Sequence, residues 1–371
     1  MKASDVIVIG GGINGMMSAR KLVMAGCSVT LLERGRCARE ASWAGGGILT
    51  PLYPWRYSDP VFRLDTLAAT QWPTLAEELA ASTGIDPEYS PHGVLHVRVE
   101  DADIACAWAA RHQVALQALE DASARDCLGG MTTASLFPSF WLPERGSIRT
   151  PRLGKALRQW LIDQPNVDLV EHCEVNALTV AGNGISGVST ASGHYLAPQV
   201  VIAGGPWSRE IALSQGISLP ITPIRGQMLL FEADRPLLKS VMLMNGFYLI
   251  PRRDHRILAG STFEDAGFDC STTRDGFSRI HAQAVAMLPA LADVHVSHHW
   301  AGLRPGSPES IPMVGPVNGL EGLYINAGHG GNGVVLSPAT ADLLGALMLG
   351  TSAPLAPAPY APGRMAAECQ N

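Results

Sequence analysis

Residues 6–15 read VIVIGGGING, and this stretch decides the fold. Its first four residues are apolar and β-branched, which is typical of a buried parallel strand. Residues 13–25 then place apolar side chains at helical spacing and stop at Gly26, a residue type that commonly ends helices. Residues 29–32 resume the strand pattern and lead into Glu33. The stretch therefore predicts a βαβ unit.

The glycines in the turn follow the spacing G-x-G-x-x-G at Gly10, Gly12 and Gly15. Gly10 permits the tight turn, Gly12 lets the backbone approach a pyrophosphate, and Gly15 allows close packing of helix on strand. The helix N-terminus would face the phosphates with its free N–H groups and its positive dipole end. Glu33, about 20 residues further on, would accept hydrogen bonds from a ribose, and its charge disfavours a 2′-phosphate. The motif predicts a dinucleotide site for FAD or NAD rather than NADP.

Three later segments again combine glycines with a strand or a helix. Residues 41–47 end in three successive glycines, which let backbone lie close against a flat ring. Residues 200–208 and 324–333 each run from an apolar strand pattern into a glycine turn, and the second leads into residues 338–349. Backbone N–H groups in that last turn are suited to stabilise negative charge on a reduced ring. Together the segments predict one long cofactor that is held at several remote points.

The rest of the chain predicts an α/β protein with two parts. Apolar periodicity predicts helices over residues 60–83, 104–112, 150–163, 208–215 and 275–288. Strands are predicted over residues 93–99, 167–180, 199–203, 222–232, 248–251, 256–261, 294–300 and 323–326. Few helices separate the strands after residue 222, which favours an antiparallel sheet. We predict a discontinuous Rossmann-type domain (residues 1–85, 145–215 and 300–371) and a second, mainly antiparallel β (α+β) substrate domain (residues 86–144 and 216–299).

The composition limits the classes of function. The chain has 371 residues with 39 Gly and 26 Pro, and only 16% of them are charged, which suits a large interior with many tight turns. The formal net charge is −6 and no basic stripe stands out, so we expect no nucleic-acid surface. No apolar run has the length of a secretory signal or a membrane span. We therefore expect a cytoplasmic protein.

Cysteines and histidines argue against a disulfide framework and a metal site. The seven cysteines are scattered and include no C-x-x-C pair, so we predict reduced thiols. His298 and His299 are adjacent, and in a strand they would point to opposite faces, which prevents them from readily chelating one metal. We expect no bound metal.

Taken in order, the motifs make the chain resemble the glycine oxidases of the D-amino acid oxidase family, the FAD enzymes of bacterial thiamine pathways. The likeness covers nearly the whole chain. It is carried by residues 9–15, 33–34, 42–47, 204–208, 226–227, 248, 250–253, 260–262, 301–306 and the trailing 357–362. The resemblance implies FAD as the cofactor, a small amine or amino acid and O2 as reactants, and a homo-oligomer.

The resemblance also implies a reaction. A hydride would pass from the α-carbon of glycine, sarcosine or a small D-amino acid to flavin N5. The resulting imine would hydrolyse to a 2-oxo acid and ammonia, while O2 would reoxidise the flavin and give H2O2. An essential side-chain base is not required, because positioning and the cofactor supply much of the catalysis.

The site residues follow from the same resemblance. Arg304 matches the family's carboxylate-binding arginine, whose planar fork suits bidentate pairing. Tyr248 matches the active-site tyrosine, which hydrogen-bonds the carboxylate and covers the substrate. The residues expected to border the substrate pocket are Phe263, Gly330 and Gly331. The residues expected to bind the cofactor are Gly10, Gly12, Ile13, Asn14, Gly15, Glu33, Arg34, Ser42, Trp43, Ala44, Gly45, Gly46, Gly47, Val175, Gly204, Trp207, Gly328, His329, Gly330, Gly331, Asn332 and Gly333.

One departure from the family pattern bears on the substrate. Glycine oxidases usually carry an aromatic residue and an arginine after the histidine that corresponds to His329, where this chain has Gly330 and Gly331. The change implies either an enlarged pocket for a bulkier amine or weak glycine binding that rests on Arg304 alone. Three alternatives stay open: an oxidase of a larger amine, a dehydrogenase that passes electrons to a quinone, and a flavin-binding sensor without turnover.

Overall fold

The computed structural model describes residues 3–130 and 135–364. Its strands are β1 (Val6–Ile9), β2 (Val29–Leu32), β3 (Val94–His96), β4 (Gln117–Leu119), β5 (Ser139–Leu142), β6 (Val167–Val170), β7 (Val175–Ala181), β8 (Gly184–Thr190), β9 (Gly193–Leu196), β10 (Gln199–Ile202), β11 (Thr222–Glu232), β12 (Val241–Met244), β13 (Phe247–Pro251), β14 (Arg256–Gly260), β15 (His295–Gly306), β16 (Met313–Pro316) and β17 (Leu323–Ala327). Its helices are α1 (Ile13–Met24), α2 (Ala41–Ala44), α3 (Asp59–Thr83), α4 (Ala102–His112), α5 (Asp121–Leu128), α6 (Thr150–Ile162), α7 (Ser208–Leu213), α8 (Arg274–Met287) and α9 (Ser337–Leu349).

The βαβ unit lies at the centre of a six-stranded sheet. The strand order is β16-β17-β10-β1-β2-β6, and every neighbouring pair is parallel except β16 with β17. All residues of β1 and β2 are buried, because both faces of the sheet are covered. Helices α1, α3, α6 and α9 pack on one face, and the three-stranded sheet β7-β8-β9 packs toward the other. This architecture confirms the predicted α/β class and its Rossmann-type sheet.

The second sheet has eight strands in the order β15-β11-β14-β13-β12-β3-β5-β4. Its pairs are antiparallel, apart from the parallel pair β12 with β3. Helices α5 and α8 cover one face, where residues such as Leu128, Phe231 and Ile280 are buried. The mainly antiparallel second part is therefore confirmed as well.

The prediction of one strand over residues 167–180 is wrong. The chain leaves the six-stranded sheet after β6 and enters the three-stranded sheet at β7. At the break, Glu171 turns away from both sheets: its carboxylate accepts the Cys37 N–H at 2.8 Å and pairs with Arg158 at 2.7 Å. His172 follows with a φ of +57°. Side-chain bonds to remote residues thus end β6, which the apolar pattern could not indicate.

The strand predicted over residues 294–300 is longer than expected. In the structure β15 continues to Gly306, and its pairing with β11 extends to the pair Thr222 and Gly306. Pro305 lacks an N–H group, but β15 lies at the edge of the sheet, where proline is tolerated. Arg304 consequently lies on a strand of the second sheet.

Several short elements have no counterpart in the predictions. They are the strands β4, β5, β8, β9, β12 and β16 and the helices α2 and α5. Most span only three or four residues, too few for a period to become visible in the sequence. Their packing against longer elements stabilises them instead.

Six cysteines are free, and Cys369 lies outside the described residues. Within residues 3–130 and 135–364, no cluster of three or more His, Cys, Asp or Glu side chains could hold a metal ion. In the same part of the chain, no helix combines the length and the apolar character needed to cross a membrane.

Candidate functional site

A cavity of about 560 Å³ lies beside the carboxyl ends of β1 and β10. The strand order reverses at β1, the position at which open α/β sheets bind ligands. Gly10 there has a φ of +108°, and a Cβ on it would lie 2.5 Å from the Ala203 carbonyl oxygen. A Cβ on Gly15 would overlap the Gly10 carbonyl oxygen. Only glycine therefore allows this close approach of α1 to the strands.

Two side chains fix the glycine turn. The Glu33 carboxylate accepts the Gly11 N–H at 2.7 Å and the Gly35 N–H at 2.8 Å. Because each carboxylate oxygen has a second lone pair, Glu33 can still accept hydrogen bonds from ribose hydroxyls. The Ser42 hydroxyl accepts the Ile13 N–H at 2.9 Å at the start of α1.

Arg34, Val175 and Trp207 line one side of the cavity. The Arg34 guanidinium lies 3.7 Å from the ring centroid of Trp207, a cation–π contact. Phe268 stacks on Trp207 with ring centroids 5.7 Å apart. Val175 lines the same cavity. Such a wall is suited to hold a flat heterocycle.

Arg252 holds the glycine segment 45–47 in place. Its guanidinium donates to the Gly46 carbonyl at 2.6 Å and to the Ile148 carbonyl at 3.2 Å. The Thr150 hydroxyl donates to the Gly45 carbonyl at 2.8 Å. Burial lowers the pKa of Arg252 to about 10, so the guanidinium stays charged at neutral pH. A cation thus fixes backbone that borders the cavity.

The glycine segment 328–333 borders the cavity from the C-terminal side. Gly328 and Gly330 have positive φ angles of +77° and +56°, and Gly330–Asn332 form a 3₁₀ turn. His329 is buried, which lowers its pKa to about 3 and keeps the imidazole neutral. Its Nε2 lies 3.2 Å from the Thr340 hydroxyl.

These residues fit a bound dinucleotide cofactor. Asn14 Oδ1, Asn326 Oδ1 and His329 Nδ1 are buried at the cavity and have no hydrogen-bond partner within the described chain. An unpaired buried polar atom is costly, so a ligand that supplies partners stabilises the site. The glycine turns, the orphaned polar atoms and Glu33 together match the polar groups of FAD.

A second cavity of about 900 Å³ adjoins the first. The two cavities share a wall, so a group bound in one can contact a group bound in the other. The residues that line both are Gly45, Gly46, Tyr248, Arg304, Gly330, Gly331 and Val334.

Arg304 projects from β15 into this shared wall. Its guanidinium donates to the Thr262 carbonyl at 3.1 Å and to the Ser261 hydroxyl at 2.6 Å. A Cβ on Gly226 would overlap the guanidinium, so a larger residue at that position of β11 would displace it. Within the described residues no carboxylate forms an ion pair with Arg304. The arginine is held in place while its charge stays available to an anion.

Tyr248 lies beside Arg304 and is buried. Its hydroxyl faces Met228 Sδ at 3.1 Å, a weak acceptor that a better one can replace. Its ring packs against Gly46, where a Cβ would lie 3.2 Å from the ring. Phe263 is 73% exposed, lines the second cavity and has its ring centroid 5.9 Å from the Arg304 guanidinium carbon.

Most residues predicted for the site line one of the two cavities. Gly47 and Asn332 line only the second cavity. Gly15, Trp43 and Gly328 line neither and lie behind the residues that do. The individual assignments stay predictions.

Comparison with known proteins identifies the family. Residues 5–347 match the family model described as FAD dependent oxidoreductase. The chain belongs to the FAD dependent oxidoreductase family. It is 43% identical over 368 residues to the glycine oxidase of Pseudomonas putida, covering 98% of this chain and 100% of that protein. It is 42% identical over 361 residues to the glycine oxidase of Pseudomonas aeruginosa, covering 97% and 99%.

A solved structure agrees with this family. The crystal structure of glycine oxidase from Geobacillus kaustophilus matches this FAD dependent oxidoreductase with a TM-score of 0.92 and 27% identity. The match covers 98% of this chain and 99% of that one. The predicted resemblance, the fold class, the enzymatic character and FAD as the cofactor are confirmed, and FAD rather than NAD occupies the dinucleotide site of this family.

Sequence reasoning missed some of the charged and aromatic residues around the site. Arg36, Arg39 and Glu40 also line the first cavity of this FAD dependent oxidoreductase. Tyr53, Arg56 and Tyr57 border the second cavity. They belong to residues 53–57, read YPWRY, whose density of aromatic side chains was the available signal. Arg252 lies in the segment that carries the family resemblance, but nothing in the sequence distinguishes it from its neighbour Arg253.

Replacing Arg252 with methionine should weaken FAD binding. The Gly46 carbonyl would lose a charge-assisted hydrogen bond, and bonds of this kind contribute about 1.5–3 kcal/mol. We expect the Kd of FAD, measured by reconstituting apoprotein, to rise by roughly tenfold or more. Arg253→Met is the matched control, because Arg253 pairs with Asp86 at 2.6 Å and not with the glycine segment. Equal FAD affinity in both variants would show that Arg252 does not support the segment.

Proposed function

We propose that this protein oxidises glycine or a closely related small amino acid, such as sarcosine or a small D-amino acid, with O2 as the electron acceptor. The imine formed would hydrolyse to a 2-oxo acid and ammonia, or methylamine in the case of sarcosine, and O2 would be reduced to H2O2. One observation carries the proposal: Arg304, free of any ion pair in the described chain, lies with Tyr248 on the wall that both cavities share. The relatives named glycine oxidase, which align along nearly the full chain, support it.

The roles of the residues follow from this arrangement. Arg304 binds the substrate carboxylate, since its guanidinium is held by Ser261 and Thr262 and faces the shared wall. Tyr248 donates its hydroxyl hydrogen to the same carboxylate and covers the substrate. Bound FAD supplies the oxidising power, taking up two electrons and a proton from the substrate. When the substrate and FAD are both bound at fixed positions, they react within one complex and no longer depend on a collision in solution.

We assign the cofactor to the first cavity and the substrate to the second. The residues predicted above to bind FAD would hold it through the glycine turns, Glu33 and the aromatic wall of Arg34 and Trp207. The two-domain division, residues 1–85, 145–215 and 300–371 against 86–144 and 216–299, is retained as part of the proposal. The strand β15 crosses its boundary at residue 300 and brings Arg304 to the cofactor.

Turnover of an amine panel tests the proposal. We expect H2O2 and a 2-oxo acid in equal amounts, with an equal amount of ammonia from glycine or D-alanine and of methylamine from sarcosine. Electron transfer to a quinone dye without H2O2 would indicate a dehydrogenase. A flavin that no amine reduces would leave only a binding role and would contradict the proposal.

A bulkier amine is the second candidate substrate. The second cavity, at about 900 Å³, is large for an amino acid as small as glycine, and Gly330 and Gly331 place no side chain in it. The same panel decides between the two candidates, because a substrate with a larger substituent would then show the higher kcat/KM.

Restoring an arginine at position 331 should favour glycine. A Cβ on Gly331 would lie 3.9 Å from Arg304 Cδ, an ordinary contact, so the backbone has room for a side chain. A second cation near the carboxylate adds a hydrogen bond of about 1.5–3 kcal/mol. We expect Gly331→Arg to raise kcat/KM for glycine roughly 10- to 150-fold and to impair bulkier amines.

Gly331→Met fills the pocket without adding a charge, so it separates the effect of volume from the effect of charge. This variant should impair bulky amines without improving glycine. If Gly331→Arg changed the kinetics of neither substrate, the enlarged-pocket interpretation would be wrong.

Three finer points belong to the same proposal. We place the enzyme in the cytoplasm, as a homo-oligomer, and in thiamine biosynthesis. The last point is supported by a bifunctional protein ThiO/ThiG of Synechocystis, which is 31% identical over 359 residues, 93% of this chain but 52% of that protein. Light scattering of the purified protein tests the oligomer, and a monomer would contradict it.

A further inference from the structure

The side chain of Asn332 is the strongest unexplained polar group at the second cavity. Its backbone is fully engaged: the N–H donates to the His329 carbonyl and the C=O accepts the Leu336 N–H, both at 3.0 Å. The residue is 3% exposed, and apart from the neighbouring Tyr57 phenol its Nδ2 has no hydrogen-bond partner within the described chain. The amide lines the second cavity but not the first. A buried donor on a cavity wall indicates an acceptor that the cavity receives.

Tyr57 lies against Asn332 in the same cavity. Burial, the largest effect, raises the pKa of its phenol, while the hydrogen bond that the Asn332 amide donates to it and the positive charge of Arg304 act in the opposite direction. The hydroxyl therefore stays protonated at neutral pH and can donate a hydrogen bond. Tyr57 is thus a second neutral donor close to Arg304.

The turn that carries Tyr57 is rigidly anchored. The Asp101 carboxylate accepts the Arg56 guanidinium at 2.6 and 2.7 Å and the Trp55 indole N–H at 3.0 Å. The Tyr57 N–H closes the turn on the Pro54 carbonyl at 3.3 Å. Because these bonds fix the backbone before any ligand arrives, little freedom is lost when the phenol binds one.

We propose that Asn332 and Tyr57 complete the carboxylate site, each donating a hydrogen bond to the substrate carboxylate that Arg304 binds. A carboxylate offers about four lone-pair sites, and a single guanidinium fork occupies two of them. The amide and the phenol supply donors for the others. The inference rests on the proposed function, since it concerns the same substrate site, and it makes both residues determinants of specificity for carboxylates.

Titration of the holoenzyme with acetate tests this pair without turnover. Binding is followed through the visible absorption of the bound flavin, and acetamide serves as the uncharged ligand of similar shape. We expect Tyr57→Phe and Asn332→Leu each to raise the Kd of acetate roughly tenfold, with acetamide affected less than about twofold. With glycine, KM should rise more than kcat falls.

Tyr89→Phe is the matched control. Tyr89 is also a half-buried tyrosine, but it lines neither cavity. Acetate affinity should be unchanged in this variant. The proposal would be overturned if Tyr57→Phe and Asn332→Leu bound acetate with a Kd within twofold of wild type while Arg304→Leu abolished acetate binding.

Two further outcomes would distinguish a role of Asn332 in cofactor binding from a failure of the proposed oxidase function. If Asn332→Leu loses FAD and the remaining holoenzyme binds acetate normally, the amide serves the cofactor and the proposal for Asn332 is overturned. If acetate binding weakens as expected but no amino acid is oxidised, the carboxylate site is supported and the oxidase function fails.

Discussion

Arg304→Leu should lower kcat/KM for glycine by roughly 10²- to 10⁴-fold. The substitution removes the cation that binds the substrate carboxylate, and two charge-assisted hydrogen bonds of about 1.5–3 kcal/mol each are lost. The leucine, at a half-buried position, would also present an apolar surface to a charged group. Steady-state H2O2 release measures the loss, and acetate titration measures the part that arises in binding.

The fold of the variant should be preserved, because among the described residues the arginine has two hydrogen-bond partners, Ser261 and Thr262. FAD content therefore stays near the wild-type value. Arg304→Lys is the informative control: it keeps the charge without the planar fork, so its kcat/KM should lie between those of wild type and Arg304→Leu. If Arg304→Leu oxidised glycine within threefold of wild type, the carboxylate site would have to lie elsewhere.

Gly10→Ala should give a protein that is purified without FAD. Its Cβ would lie 2.5 Å from the Ala203 carbonyl oxygen, and alanine is strained at a φ of +108°. The ends of β1 and β10 would have to separate, and the cradle for the pyrophosphate would be lost. We expect FAD affinity to fall by roughly a hundredfold or more, since about 2.8 kcal/mol or more of contact energy is lost.

Gly26→Ala is the matched control at the opposite end of α1. Gly26 has a similar φ of +93°, but a Cβ there would meet nothing within 4 Å. The variant pays only the strain of a left-handed backbone, about 1–2 kcal/mol, and should retain its flavin. The ratio of flavin to protein absorbance compares the two. Full flavin content in Gly10→Ala would contradict the role given to the glycine turn.

The sequence was sufficient to predict those parts of the fold in which the local apolar pattern agrees with the packing in the structure. The βαβ unit, the long helix α3 and the strand β11 follow from apolar periods that run over many residues. The break after β6 could not be predicted, because the bonds of Glu171 to Cys37 and Arg158 join residues far apart in the chain.

The site residues likewise include some that the sequence could predict and some that it could not. The glycines were predictable because a turn or a close approach to backbone requires them, as at Gly10. Arg252, Tyr57 and the buried amide of Asn332 were not, since their roles arise from contacts between distant segments. Such a side chain is recognised as a site residue only when the structure shows its hydrogen-bond partners or shows that a buried polar atom lacks one.

The central claim is that Arg304 and the adjoining cavities bring an amino-acid substrate to bound FAD. Anaerobic addition of glycine to the holoenzyme tests this claim most directly. We predict that the flavin absorption near ~450 nm bleaches and returns when air is admitted, with release of H2O2. A flavin that stays oxidised in the presence of glycine, sarcosine, D-alanine and bulkier amines would contradict the account.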